Sequence, residues 1–496
     1  MRPLRCTPAL LCIALAGCAV APAPVAPAAP VLPAQWRSGA GAGMAVAHAD
    51  IAWWERFDDA ALTSLIRRAA AANLDVALAS ARVRETRGRA GIASAALRPG
   101  VRARAAATRE RDSEHAPAPV LFGADGNPER PGARADNLFQ AGFDASWELD
   151  VFGAGRQAAL AAQADVDAVE FDLGAVRVTL FAEVARNYVV LRGQQQHIAA
   201  ARADLADQSS AAGLVRARHA GGLASELDVV RSDAQVKLLA AQIAPLETGR
   251  RLTLHRLAVL LGQAPGALDA ELAAARPIPL ARPGLPTGLP SDLLRQRPDI
   301  RRAERQLAAS AARMGVAAAD LYPSFSLGGS AGLASVSAGD FFSVASLLWK
   351  VGPTINWPIL RRGQVVASIA VHDARQQQAL IAYRIVILNA LEEVENAIAF
   401  YQDAQARQAA LAAALQGQAL ALSLSRSRYL GGLADLRDVL DAQHRQAVLG
   451  SDVIQGEVDV ATAAVALHKA LGGGWCALPG GGATDVAAEA PCSTLP

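Results

Sequence analysis

The sequence predicts a mainly α chain that carries a smaller β portion of membrane-barrel type and is built by internal duplication. Three observations lead there. Segments 210 residues apart match: Arg218, Gly221, Gly222, Leu223, Ala224, Asp228 and Val229 of "RHAGGLASELDVV" align with Arg428, Gly431, Gly432, Leu433, Ala434, Asp438 and Val439 of "RYLGGLADLRDVL". Although the chain holds 26 prolines, none falls between Pro131 and Pro245 or between Pro358 and Pro479, so each half keeps a long run suited to helix. Short segments ahead of those runs alternate apolar and polar residues, the period of a two-faced strand.

The N-terminus reads as an export signal. "MRPLRCTPALLCIALAGCAV" sets Arg2 and Arg5 before an apolar stretch, Ala9 to Ala16, too short to span a bilayer, and small residues follow. Leu15-Ala16-Gly17-Cys18 resembles a bacterial lipobox, which implies cleavage after residue 17 and acylation of Cys18, with Ala19 favouring the outer membrane. Residues 18–50, rich in Ala, Pro and Gly, are the expected tether, and order is expected from about Trp53. The first repeat then covers 51–274, a Pro-rich linker 275–290, the second repeat 291–471 and a Gly/Pro-rich tail 472–496.

Composition narrows the function classes. With 496 residues, 52% of them apolar, the chain is long enough for a large ordered core. Lys and Arg total 48 against 46 Asp and Glu, and loss of Arg2 and Arg5 balances them, so no basic excess points to nucleic acid. Beyond Cys18 only Cys476 and Cys492 remain, either a disulfide or two free thiols. No clustered His and Cys spacing points to a metal, and none of the residue patterns points to a cofactor.

Within the helical runs, Phe181, Val184, Tyr188 and Leu191 recur at coiled-coil spacing, and Leu391, Val394, Ile398 and Tyr401 repeat them 210 residues on. A helix from Gly155 to about Arg218 would be roughly 95 Å long. Each Gly-Gly pair closes such a run and marks a reversal between antiparallel helices.

Four segments alternate. In "LFQAGFDASWEL" Phe139, Ala141, Phe143, Ala145, Trp147 and Leu149 share a face; in "SLLWKVGPTINW" Trp349, Val351, Ile355 and Trp357 do. "SFSLGGSAGL" alternates likewise, and "GVRARAAAT" weakly. Four strands cannot close a barrel, and open edges are not viable in lipid, so a membrane role needs strands from several chains. A soluble two-sided sheet has the same period.

"SWELDVFG" (146–153), "LPSDLLRQRPDIRRAERQLAA" (289–309), "GVAAADLYPSFSL" (315–327) and "VLDAQ" (439–443) together resemble the TolC-type outer-membrane factors, in particular their lipoprotein branch serving resistance-nodulation-division efflux systems. The resemblance implies a homotrimer whose twelve strands form one barrel and whose long antiparallel helices form a periplasmic α-barrel. It implies an exit duct for small solutes such as drugs or metals, joined through a periplasmic adaptor to an inner-membrane pump. The helix reversals would be the adaptor-contacting tips: Gly221, Gly222 and Leu223 with Gly431, Gly432 and Leu433. Tyr429 and Asp441 match positions of the closed aperture, with Arg231 a candidate partner of Asp441. Arg437 stands where relatives carry an apolar residue, a departure from an apolar constriction.

Two rivals come from other classes. Gly328-Gly329-Ser330-Ala331-Gly332 fits the G-x-S-x-G nucleophile pattern, but that chemistry needs a strand-to-helix elbow, and here the match lies inside an alternating segment. The reading is therefore not an enzyme. A lipid-anchored coiled-coil scaffold would explain the helices but not the duplicated strands, and within transport a duct for secreted proteins is the alternative cargo class.

Overall fold

The computed structural model describes residues 32–38, 52–111, 121–122, 128–129, 135–282, 290–292 and 296–476. The signal peptide, Cys18, most of the expected tether and Cys492 lie outside them. The elements, in chain order, are α1 Ala60–Ala72, α2 Leu74–Ala95, β1 Gly100–Arg111, β2 Leu121–Phe122, β3 Pro128–Glu129, β4 Ala135–Leu149, α3 Ala154–Ala220, α4 Glu226–Leu260, α5 Pro298–Ala319, β5 Ser324–Ser335, β6 Leu347–Asn356, α6 Arg362–Leu430 and α7 Leu436–Ala470. The described residues divide into two compact units, one drawn from 85–166 and 305–380, the other from 32–38, 52–84, 167–304 and 381–476.

The first unit is built on an antiparallel sheet in the order β1-β4-β5-β6, with β2 and β3 forming a separate two-residue pair. Each half of the sequence supplies one antiparallel pair, β1 with β4 and β5 with β6, and β4 joins β5 across the duplication. The register aligns the alternating residues into rows: Ala103, Phe143, Ala331 and Trp349 share one, and Val101, Ala145, Gly329 and Val351 the next. Phe143, Trp349 and Val351 are exposed, so the apolar face is bare in the single chain. Both pairs are pinned in the same way at their base. The Trp147 indole donates to the Leu97 carbonyl at 3.0 Å, three residues before β1, and Trp357 donates to Leu321 at 3.3 Å, three residues before β5.

Where β4 hands over to α3, Asp150 accepts from the backbone N–H groups of Gly155 (2.9 Å) and Arg156 (3.0 Å) and from the Arg156 guanidinium (3.0 Å). Burial pushes this carboxyl up, but the two backbone bonds and Arg156 outweigh it and hold it below the usual carboxylate value. The acceptor thus sits at the positive end of a 67-residue helix.

The second unit is helical, and its core is the duplicated seam. Phe181, Val184, Tyr188 and Leu191 on α3 are fully buried, as are Val394 and Ile398 on α6, with Tyr401 nearly so and Leu391 packed against them. Leu254 and Leu257 of α4, Ala461, Ala464 and Val465 of α7, and Leu62, Leu65 and Ile66 of α1 complete it. One polar chain is threaded through this core. Asp59 caps α1 through the N–H groups of Ala61 and Leu62, and its other oxygen accepts from the Tyr188 hydroxyl at 2.8 Å. Arg192, 2% exposed, donates to Tyr188 (3.0 Å), Gln195 (2.8 Å) and the Ala274 carbonyl (2.8 Å). Burial, followed by the bond to Asp59, pushes the Tyr188 phenol up to about 12. The buried phenol and both terminal guanidinium nitrogens find partners, which offsets much of the cost of burying them, while Arg192 Nε makes no hydrogen bond.

The structure corrects several sequence expectations. Order does not begin at Trp53: within the expected tether, Trp36 is buried, the N–H groups of Arg37 and Ser38 donate to the Glu395 carboxylate at 2.7 and 3.0 Å, and Gln402 donates to the Ser38 carbonyl at 2.6 Å. One tryptophan and two free backbone donors suffice to seat a short segment of poor composition. Pro245, which bounds the first proline-free run, lies inside α4, so the helix continues past that run. In the expected linker Ile278 is buried and Arg282 donates from its backbone to Arg56 at 3.0 Å. The expected tail starts with packed residues, since Trp475 is buried against Phe171 and donates to the Gln296 carbonyl at 3.0 Å. One expectation stands uncorrected: Ser330 of the G-x-S-x-G match lies within a strand, in the middle of β5, as its alternating segment predicts.

Candidate functional site

The two helix reversals are the most regular feature shared by the halves. Gly222 has φ +74° and Gly432 φ +71°, the left-handed region that L side chains avoid. At each, two backbone bonds close the preceding helix. Gly222 N–H donates to His219 O (2.9 Å) and Leu223 N–H to Arg218 O (2.8 Å); Gly432 N–H donates to Tyr429 O (3.1 Å) and Leu433 N–H to Arg428 O (2.8 Å). These are the paired bonds of a Schellman stop, which satisfies the last carbonyls and turns the chain. Gly221 and Gly431, one residue earlier, have ordinary backbone angles and donate to Ala217 and Ser427. Leu223 and Leu433 are each 73% exposed, a side chain offered outward at the apex of each turn.

The helices that leave the turns start differently. Ser225 caps α4 in a reciprocal box: its hydroxyl accepts from the Asp228 N–H (3.2 Å), while the Asp228 carboxylate accepts from the Ser225 N–H (3.2 Å) and hydroxyl (2.7 Å). The Ser225 hydroxyl, then its backbone N–H, hold the Asp228 carboxyl below the usual value, with Arg231 adding to this. Asp435, at the same place before α7, makes no side-chain capping bond.

Of the aperture candidates, Tyr429 is half-buried against Leu422, Val439 and Ala442, and the Arg218 guanidinium lies 5.0 Å from its ring centroid. That cation–π contact joins the end of α3 to the end of α6, so the two tips are neighbours in one chain. Asp441 is exposed and pairs at 2.8 Å with Arg445, one turn along α7. Arg231, the expected partner, is exposed on α4; the nearer cation at helical i,i+4 spacing takes the carboxylate. Arg437 is exposed as well. Arg218 and Arg445 were not among the sequence candidates. The i,i+4 spacing of Asp441 and Arg445 was a readable signal, whereas the Arg218–Tyr429 contact links residues 211 apart and had none. Cys476 is disulfide-bonded and packs on Phe171, Val178 and Trp475; its partner lies outside the described residues.

A sheet with one apolar face and very long helices that reverse at paired glycine turns, carried by one chain, are the features of outer-membrane ducts with a helical periplasmic portion. The outer membrane efflux protein family model matches residues 65–263 and 289–473, one match in each half. The chain is 34% identical to the pyoverdine export outer membrane protein OpmQ of Pseudomonas aeruginosa, over 94% of this chain and 95% of that one. It is 31% identical to nodulation protein T of Rhizobium leguminosarum bv. trifolii, over 96% and 98%. Among solved structures, the outer-membrane channel OprN superposes with a TM-score of 0.83 at 33% identity, over 92% of this chain and all of that one. The chain therefore belongs to the outer membrane efflux protein family, whose members are transport proteins of the outer membrane.

Proposed function

We propose that three copies of the chain close one twelve-stranded barrel and form the passive exit duct of a tripartite efflux system. The observation that carries this is the sheet itself. Its edge strands β1 and β6 have no further partner among the described residues, while one face presents exposed Phe143, Trp349, Val351 and Ile355. Open edges and an apolar face are both satisfied when copies join edge to edge in lipid. A lone four-stranded sheet satisfies neither.

The partners follow from the tips. Leu223 and Leu433, exposed at two glycine turns, suit contact with a periplasmic adaptor, which in turn would couple the duct to an inner-membrane pump. The chain has no energy-transducing motif among its readable patterns and acts as conduit rather than enzyme. Its cargo would be small solutes; the relative named for pyoverdine export supports that class over secreted protein. Cys18 is the proposed acylation site. Cys492 is the proposed partner of Cys476. Tyr429, Arg437, Asp441 and Arg231 remain the proposed aperture residues, with Asp441 partly neutralised by Arg445.

Purified from outer membranes, the protein is expected to run as a heat-modifiable trimer and to conduct ions in planar bilayers. A soluble monomer released by Cys18→Ser, with no conductance, would instead fit a lipid-anchored scaffold.

A further inference from the structure

The polar face of the sheet carries its charge in bands. Register places Arg102, Asp144, Ser330 and Lys350 side by side in one row, and Arg104, Gly142, Gly332 and Leu348 in the next. Rows are spaced two residues along each strand, about 7 Å. Together these two rows hold three cations against one anion, a net +2 per chain. The flanking rows are uncharged: Gly100, Ser146, Gly328 and Gly352 on one side, Ala106, Gln140 and Ala334 on the other. Carboxylates return only at Glu148 near the base of β4 and at the paired Glu110 and Asp136 toward its far end.

The small residues around the band are as telling as the charges. A Cβ on Gly142 would come within 2.6 Å of the Ala331 carbonyl, and one on Gly332 within 2.5 Å of Ala141, so neither position takes a side chain. At Gly328 and Gly352 a Cβ would meet nothing within 4 Å, and the sheet there is simply uncovered. Arg102, Arg104 and Lys350, all exposed, are therefore the longest side chains on an otherwise low surface. In a closed barrel with its apolar face on lipid, this face lines the water-filled lumen.

We propose that this belt is an anion-binding, charge-selecting site inside the duct, taking small multivalent oxyanions. The inference rests on the trimeric barrel proposed above: three copies raise the net charge of the two rows to +6 around one lumen. Rings of Arg and Lys at close quarters select anions because opposing walls of low dielectric focus their field on the passing solute. Asp144, beside Arg102 in the register, trims the belt and sets its strength.

The test uses the full-length protein in planar bilayers under a KCl gradient, with citrate added from the barrel side. Wild type is expected to show a reversal potential displaced toward anions and block by citrate. Arg102→Gln with Arg104→Gln and Lys350→Gln should displace that potential toward cations and weaken citrate block by about tenfold or more. Lys350→Gln alone and Asp144→Asn guard against loss of assembly in the triple variant, and should move both readouts in opposite directions. Heat-modifiable trimers that conduct with the same potential and the same citrate block in every variant would overturn the belt and leave the duct standing. Absence of both trimer and conductance in wild type would overturn the belt and the duct together.

Discussion

The two tips of the chain share one backbone and differ in what holds it. Gly222 and Gly432 make the same turn with the same pair of bonds, yet the first tip is closed within itself and the second is not. Ser225 and Asp228 form a capping box, and His219 Nδ1 lies 2.9 Å from the Ala224 carbonyl. At the second tip Asp435 caps nothing; Tyr429 packs on Leu422, Val439 and Ala442 and takes its cation from Arg218 of the first. Duplication kept the turn, where only glycine fits, and let the flanking chemistry diverge. The second tip therefore draws on a contact shared with the first, whereas the first also has a capping box of its own.

The largest expected effect should be equal at both tips. Gly222→Val and Gly432→Val each force a β-branched residue into positive φ, at about 1–3 kcal/mol. Hydrogen exchange at Leu223 and Leu433 is expected to accelerate to a similar degree in the respective variants; a marked difference would break the backbone equivalence. Removal of the caps should then separate the tips. Ser225→Ala is expected to cost about 1 kcal/mol at the first, whereas Asp435→Ala stays within about 0.5 kcal/mol at the second, read by the same exchange measurement.

Smaller effects test the dependence of one tip on the other. A double-mutant cycle of Arg218→Met with Tyr429→Leu should return a coupling of about 0.5–1 kcal/mol in local exchange at Leu433, the size of an exposed cation–π contact. No coupling would leave the second tip standing alone. Acid should weaken the first tip through its capping box. The Asp228 carboxyl is lower in the folded chain than its ordinary 3.8, so its contribution is present above that value and is lost as pH falls through the folded one. Protection of the α4 start relative to the α7 start is expected to decline in that window, and parallel loss at both would count against the box as the cause.

What was readable beforehand follows from the range of each interaction. The seam through Phe181, Val184, Tyr188 and Leu191 is written at local spacing, and so were the turns, because Gly-Gly at the end of a proline-free run leaves few alternatives. Strand faces were legible from Trp147 and Trp349. The sheet order was not: β4 meets β5 across nearly 200 residues, and nothing local marks Asp144 as the neighbour of both Arg102 and Ser330. Trp36 was hidden in a segment whose Ala and Pro content reads as tether, and its seat depends on Glu395, far along the chain. Site residues followed the same rule. Glycines whose role is conformational were found, while Arg218, whose role is a contact made at long range, was missed.

The trimeric barrel is tested most directly by cross-linking its two edges. Cysteine placed on β1 at Val101, Ala103 or Ala105 in turn, together with Val351→Cys on β6, should give under mild oxidation in outer membranes a ladder of two and then three linked chains that stops at three. Chains that stay monomeric across the whole β1 series, or a ladder that runs past three, would contradict a barrel closed by three copies.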